Sequence, residues 1–211
     1  MIAWAIDLAK NSGLFEHVIV STDDSEIANI SQDWGAEVPF HRPSTLADDF
    51  TPTVPVISHA VHQCINLGWN AEYYCCIYPC TPLLRVEDLT SAYSCISKKD
   101  VDFTYLVTKF QHPIQRAMRM TKIGEMEFLT PVNELERTQD FEECFHDAGQ
   151  FYWGKKNAWL ENKRMHTGGL GVEIPNWRVV DIDTVADWHR AEIMKEVFDK
   201  LSIQRHGVRS D

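Results

Sequence analysis

Residues His17–Ala28 read HVIVSTDDSEIA, and this stretch constrains the fold more than any other. Val18, Ile19 and Val20 are three β-branched apolar residues in a row, the pattern of a short strand covered on both faces of a parallel sheet. Ser21, Thr22, Asp23 and Asp24 follow, all residue types that cap helices. Ile27, Ile30 and Trp34 then fall at helical spacing, and Gly35 ends the run. The stretch is therefore strand, polar turn, helix. In open α/β sheets ligands bind outside the carboxyl ends of strands, where such turns lie. Two readings of Asp23 and Asp24 stand side by side: helix caps alone, or part of a site as well.

The alternation continues along the chain. Met1–Lys10 has amphipathic helical spacing, closed by Asn11–Gly13. Ala36–Phe40 is a second short strand, and the loop HRPSTLADDFTPT leads to a helix over Val54–Asn66, capped by Gly68. Glu72–Tyr78 is a strand with the turn Pro79–Arg85 at its carboxyl end; Val86–Ser97 is a helix and Val101–Lys109 a strand. The pattern then breaks. His112–Thr130 reads as a hairpin with Lys122–Glu125 at its tip, and Pro131–Gly149 as an irregular polar segment. Phe151–Trp153, Val172–Ile174 and Trp177–Val180 have strand character. Lys155–Glu161 reads as a short helix, and Thr184–Leu201 as a final long one. Strands alternating with helices predict an α/β fold with a three-layer, mostly parallel sheet, the 211 residues forming one domain. Residues 111–137 would project from it as a small β-rich segment suited to an oligomer contact.

The formal charge of −11 disfavours a nucleic-acid or anionic-membrane partner, which would require the opposite sign. No apolar run approaches membrane-spanning length. None of the six cysteines has paired zinc spacing, and buried thiols in a reducing cytoplasm account for them. Cys75 and Cys76 should point to opposite faces of one strand. His59 and His62, in an apolar helix with no third ligand nearby, read as packing residues.

Four polar segments fall where strands end: Ser21–Asp24, Pro79–Arg85, Arg137–Gly149 and Asp181–Asp187. Together they could meet at one edge of the sheet. Asp181 and Asp183 are two carboxylates two positions apart, a pattern that holds magnesium and equally suits a helix N-terminus. Arg137, Gln139, Asp140, His146 and Asp147 mix cation, amide, imidazole and carboxylate. That mixture suits an acidic, hydroxyl-rich ligand and also a solvated loop.

Five segments, HVIVSTDDSEIA, RPSTLADD, IYPCTPLLR, RTQDFEECFHDAGQFYWG and DIDTVADWHRAE, occur in this order. Their sequence and order resemble the CMP-sialic acid synthetase family, and the HDAGQFYWG version is most similar to its pseudaminic acid branch. The resemblance runs from about Met1 to Leu201. It implies a nucleotide-diphospho-sugar transferase type of fold and a homodimer through the projecting segment. It also implies a cytoplasmic enzyme that joins CTP to an acidic nine-carbon α-keto sugar, with magnesium as cofactor. Carried over residue by residue, it implies that Asp181 and Asp183 hold the metal. Tyr78, Arg137, Gln139, His146 and Gln150 would face the sugar; Ser21, Asp23 and Arg42 would lie toward the nucleotide.

Two departures qualify these implications. Tyr78 stands where the sialic acid branch carries Gln, which argues against N-acetylneuraminate. The family's opening strand and Gly-, Ser-, Arg- and Lys-rich phosphate loop are not among these residues. No Gly-rich loop follows any strand here, although a triphosphate requires backbone N–H donors and cations. The expectation is that the chain as it stands binds CTP weakly and makes no CMP-sugar. Legionaminate or neuraminate activation and a non-catalytic, dimer-forming homologue are the alternatives. A hydrolase with Asp181 as nucleophile is a weaker third, because such enzymes place that motif after the first strand.

Overall fold

The computed structural model describes residues 1–129 and 136–207, with the side chains of 202–207 left aside. Its centre is a four-stranded sheet in the order β1 (Tyr73–Ile77), β5 (Phe145–Lys155), β2 (Phe103–Lys109), β6 (Leu170–Glu173). Strand β5 runs antiparallel to both β1 and β2, while β2 and β6 are parallel. The expected α/β class holds, but the sheet is mixed where a mostly parallel one was expected. The difference comes from β5. It runs through HDAG, a polar and small-residue run with no alternating apolar pattern, and so was read as an irregular segment up to Gly149. Pairing with two neighbours, not local propensity, makes it a strand.

Helices cover both faces. On one face α1 (Ile2–Asn11) and α4 (Val86–Lys98) pack through Leu8, Leu89, Ala92 and Ile96 on Cys75, Ile77, Leu106, Phe151 and Trp153. On the other, α3 (Thr53–Asn66) and α5 (Lys156–Leu160) pack through Ile57, Val61, Ala158 and Trp159 on Cys76, Phe103, Tyr105 and Tyr152. Alternation along β1 thus sends Cys75 and Cys76 to opposite cores. Burial pushes both thiols up, Cys76 to about 12, so neither supplies a thiolate. The buried indoles find acceptors: Trp153 Nε1 donates to the Leu89 carbonyl at 3.2 Å and Trp159 Nε1 to that of Tyr74 at 3.3 Å.

The strands expected at Val18–Val20 and Ala36–Phe40 shrink to a single parallel bridge between Ile19 and Glu37. Val20 N–H donates to the Glu37 carbonyl at 2.9 Å, and Glu37 N–H to that of Val18 at 2.8 Å. Strand geometry then turns the Ile19 amide and carbonyl the other way, into a cleft. Across that cleft lies the free edge of β1. Helix α2 (Ser25–Asp33) follows, with Asp24 Oδ1 accepting from the amides of Glu26 at 2.7 Å and Ile27 at 2.9 Å. Of the two aspartates, Asp24 is therefore the cap.

The predicted hairpin is present as β3 (Met118–Met120) and β4 (Met126–Phe128), turning at Gly124. The 111–137 segment lies partly outside the described residues. Trp177–Val180 is not a strand: a 3-10 turn occupies Asn176–Arg178, and the Arg178 side chain is buried. The final helix, α6 (Val185–Gly207), opens with a capping box. The Thr184 amide donates to Asp187 Oδ2 at 2.9 Å, and the Asp187 amide to Thr184 Oγ1 at 3.2 Å.

Candidate functional site

The cleft between Ile19 and β1 has a volume of about 1230 Å3. Its floor is apolar, from Ile6 and Ala9 on one side to Val56, Ile57 and Ala60 on the other. Ser21, Asp23, Arg42 and Tyr78 all line it. The structure therefore brings together the three residues expected at the nucleotide and one expected at the sugar. Arg42 is fixed there. Its amide donates to the Thr22 carbonyl at 2.9 Å, its Nε to Ser21 Oγ at 3.3 Å, and its terminal nitrogen to the Ser21 carbonyl. The loop HRPSTLADD thus folds back on the first strand–helix turn and places a guanidinium at its mouth.

Tyr78 ends β1. Its amide donates to the Gln150 carbonyl at 2.9 Å, and its hydroxyl meets Thr53 Oγ1 at 2.6 Å. Burial raises its phenol above the ordinary value, so at neutral pH it is a neutral hydrogen-bonding group. The ring packs edge-on against Tyr152, centroids 5.5 Å apart. Tyr152 donates to Asp147 Oδ2 at 2.5 Å, and His166 Nε2 meets the same oxygen at 2.7 Å. Burial first, then the Asp147 carboxylate, raises the Tyr152 phenol far above its usual range.

The remaining expected residues are placed elsewhere. Gln150 is buried and does not line the cleft; its side-chain nitrogen donates to the Arg178 carbonyl at 2.8 Å, and its Oε1 has no hydrogen-bond partner among the described residues. Arg137, Gln139 and His146 are exposed and do not line the cleft. Arg137 holds Asp140 by two bonds, of 2.9 Å and 3.2 Å. His146 Nδ1 meets the Asp147 carbonyl at 2.8 Å, and its ring tilts on Phe110. The sequence singled out His146 and Asp147 together; strand alternation sends their side chains to opposite faces, and only that of Asp147 joins the tyrosines.

Asp181 and Asp183 are exposed on the segment between Arg178 and α6, and they do not line the cleft. Among the described residues no group of three metal-binding side chains exists. The segment is anchored just upstream. Arg178 donates to the Leu83 carbonyl at 3.0 Å and to Asp88 Oδ1 at 3.1 Å, while Asp88 Oδ2 accepts the Arg85 amide at 2.9 Å. That buried pair ties the Pro79–Arg85 turn, the start of α4 and the approach to Asp181 into one unit. Sequence reading missed Asp88, Arg178, Thr53 and His166. Asp88 alone has a local partner, the Arg85 amide; only tertiary contact gives Arg178, Thr53 and His166 theirs.

Comparison with known proteins agrees with this architecture. The cytidylyltransferase family model matches residues 1–166. A pseudaminic acid cytidylyltransferase of Campylobacter jejuni is 33% identical over 198 residues, covering 93% of this chain and 85% of that protein. A Helicobacter pylori protein that combines pseudaminic acid cytidylyltransferase with a hydrolase is 29% identical over 95% of this chain and 38% of its own length. Among solved structures, a CMP:2-keto-3-deoxy-manno-octonic acid synthetase complexed with CTP superposes with a TM-score of 0.65. That superposition covers 92% of this chain and 88% of the synthetase at 13% identity, a likeness of fold. The chain belongs to the cytidylyltransferase family.

Proposed function

We propose that this cytidylyltransferase activates pseudaminic acid, a nine-carbon α-keto acid sugar, with CTP to give the CMP-sugar and pyrophosphate. The observation that carries the reading is the relation, over nearly the whole chain, to proteins named for this activity. The cleft supports it, with a fixed guanidinium and the Ser21–Asp24 turn beside an apolar floor, and neutral tyrosines next to them. The sugar's anomeric hydroxyl attacks the α-phosphorus of CTP. One oxygen–phosphorus bond forms, the bond to the bridging oxygen breaks, pyrophosphate leaves with the electron pair, and the hydroxyl proton passes to solvent. The protein's share is positioning and charge placement. Arg42 offers a positive charge to phosphate oxygens, and Tyr78 offers a hydroxyl to the sugar.

Asp181 and Asp183 fit a magnesium ion. They are exposed, two residues apart and, among the described residues, in no ion pair. Magnesium takes one or two carboxylates and fills its shell with water and phosphate oxygens. Bound there it would offset charge on the departing pyrophosphate. We further propose a homodimer through the β3–β4 hairpin. A cytoplasmic setting is proposed because CTP is the co-substrate and all six cysteines are free thiols.

The test is CMP-sugar formation with magnesium and pseudaminic, legionaminic or N-acetylneuraminic acid. CTP is supplied at millimolar level because no Gly-rich loop cradles it among the described residues. Pseudaminic acid should give product with the highest kcat/KM, and any product at all would overturn the expectation that these residues make no CMP-sugar. Faster turnover of legionaminic acid would transfer the assignment to that sugar, and no product from any of the three would favour a non-catalytic homologue.

A further inference from the structure

Strand β5 carries a large bulge. Tyr105 pairs with Tyr152 and Val107 with Asp147, so two steps along β2 are matched by five along β5. Bulges re-aim side chains, and they cluster beside binding sites. Here Gly149 makes the turn at φ +62°, and its amide donates to Asp147 Oδ1 at 2.9 Å. The excursion folds Asp147 back over Tyr152, where its other oxygen takes both the Tyr152 hydroxyl and His166 Nε2.

An ionised carboxylate only accepts hydrogen bonds, so Nε2 must carry the hydrogen. In that tautomer the lone pair is on Nδ1, which has no hydrogen-bond partner among the described residues. Ring contacts hold its orientation: His166 lies edge-on to Tyr105 at 5.2 Å and to Tyr152 at 6.1 Å. Its side chain is nevertheless 56% exposed. A histidine oriented by a half-buried carboxylate and open on its other nitrogen is arranged to bind something.

The occupant follows from charge. The Asp147 carboxylate repels a triphosphate more strongly than a sugar acid with its single carboxylate, and the tyrosine hydroxyl and imidazole beside it suit the hydroxyls of such a sugar. Tyr152 links this corner to Tyr78, which lines the cleft. We propose that Asp147 is a positioning residue of the sugar-facing wall and that His166, which it orients, accepts a hydrogen bond from a hydroxyl or N-acyl N–H of the sugar acid through Nδ1. This rests on the activity proposed above.

Two readouts test it on the whole chain. In steady-state kinetics, Asp147→Asn and His166→Ala should each raise the sugar KM on the order of tenfold, the worth of one hydrogen bond, and leave the CTP KM within about twofold. Because Asp147 acts through His166, the double variant should lose no more than either single one. Nitrogen-15 correlation spectra, which need no substrate, should show His166 as the Nε2–H tautomer in the wild type and lose that preference in Asp147→Asn. Equal rises in both KM values with a lowered Tm overturn the positioning role, as do additive losses. Tautomer loss in Asp147→Asn with an unchanged sugar KM overturns the sugar contact alone. A wild type that makes no CMP-sugar overturns the activity itself, and the contact with it.

Discussion

At the scale of single residues, Asp88 and Arg178 carry the largest local stake. Both are buried, and the guanidinium also satisfies the Leu83 carbonyl. Removing one partner of a buried pair leaves the other charged and unpaired, at a cost of about 3–5 kcal/mol. Asp88→Ala should therefore lower Tm by roughly 6–20 °C in a chain of this size. A calorimetric shift within about 2 °C would show that the pair is dispensable. Asp183 is the opposite case, exposed and, among the described residues, in no ion pair. Asp183→Asn keeps the shape and removes charge, so magnesium-dependent turnover should collapse while Tm stays put. Unchanged magnesium dependence would move the metal elsewhere. Asp24 was legible from sequence as a helix cap because capping depends only on residues two or three positions away. Gln150 was not, because its hydrogen bond spans 28 positions to Arg178.

At the scale of elements, the β3–β4 hairpin is the unfinished piece. Met118, Met120, Ile123, Met126 and Leu129 are exposed on it, and Ile114 is exposed nearby. A two-stranded hairpin is marginal alone, and a patch of this kind marks an interaction surface. Light scattering at micromolar concentration should report a homodimer, and Met120→Glu with Ile123→Glu should yield a monomer with an unchanged far-ultraviolet spectrum. A wild-type monomer would remove the proposed dimer contact. The hairpin was readable because alternation and a glycine turn are local signals. The first half of β5 was not, since HDAG gains strand geometry only from its pairing with β2. Gly154 illustrates the same dependence. A Cβ there would lie 2.3 Å from Trp159 Nε1, a constraint imposed by α5 folding back on its own strand.

At the scale of the whole molecule, two apolar cores clamp a thin sheet, and the cleft opens beside its β1 edge. The periodicity of the helices and of β1 and β2 determined the α/β class and the helical layers, because each amphipathic face must be buried against something. Five ordered segments determined the family. The family resemblance implied Ser21, Asp23 and Arg42 for the nucleotide and Tyr78 for the sugar, and the structure lines one cleft with all four. Only the tertiary structure decided that the sheet is mixed, that Ile19 stands off from β1 across a cleft, and that Asp147 meets His166. Strand direction and register depend on which edges find partners, and side-chain meetings depend on how the chain returns. A local pattern contains neither: the bulge in β5 has no signature in HDAG until Tyr105 and Val107 fix its two ends.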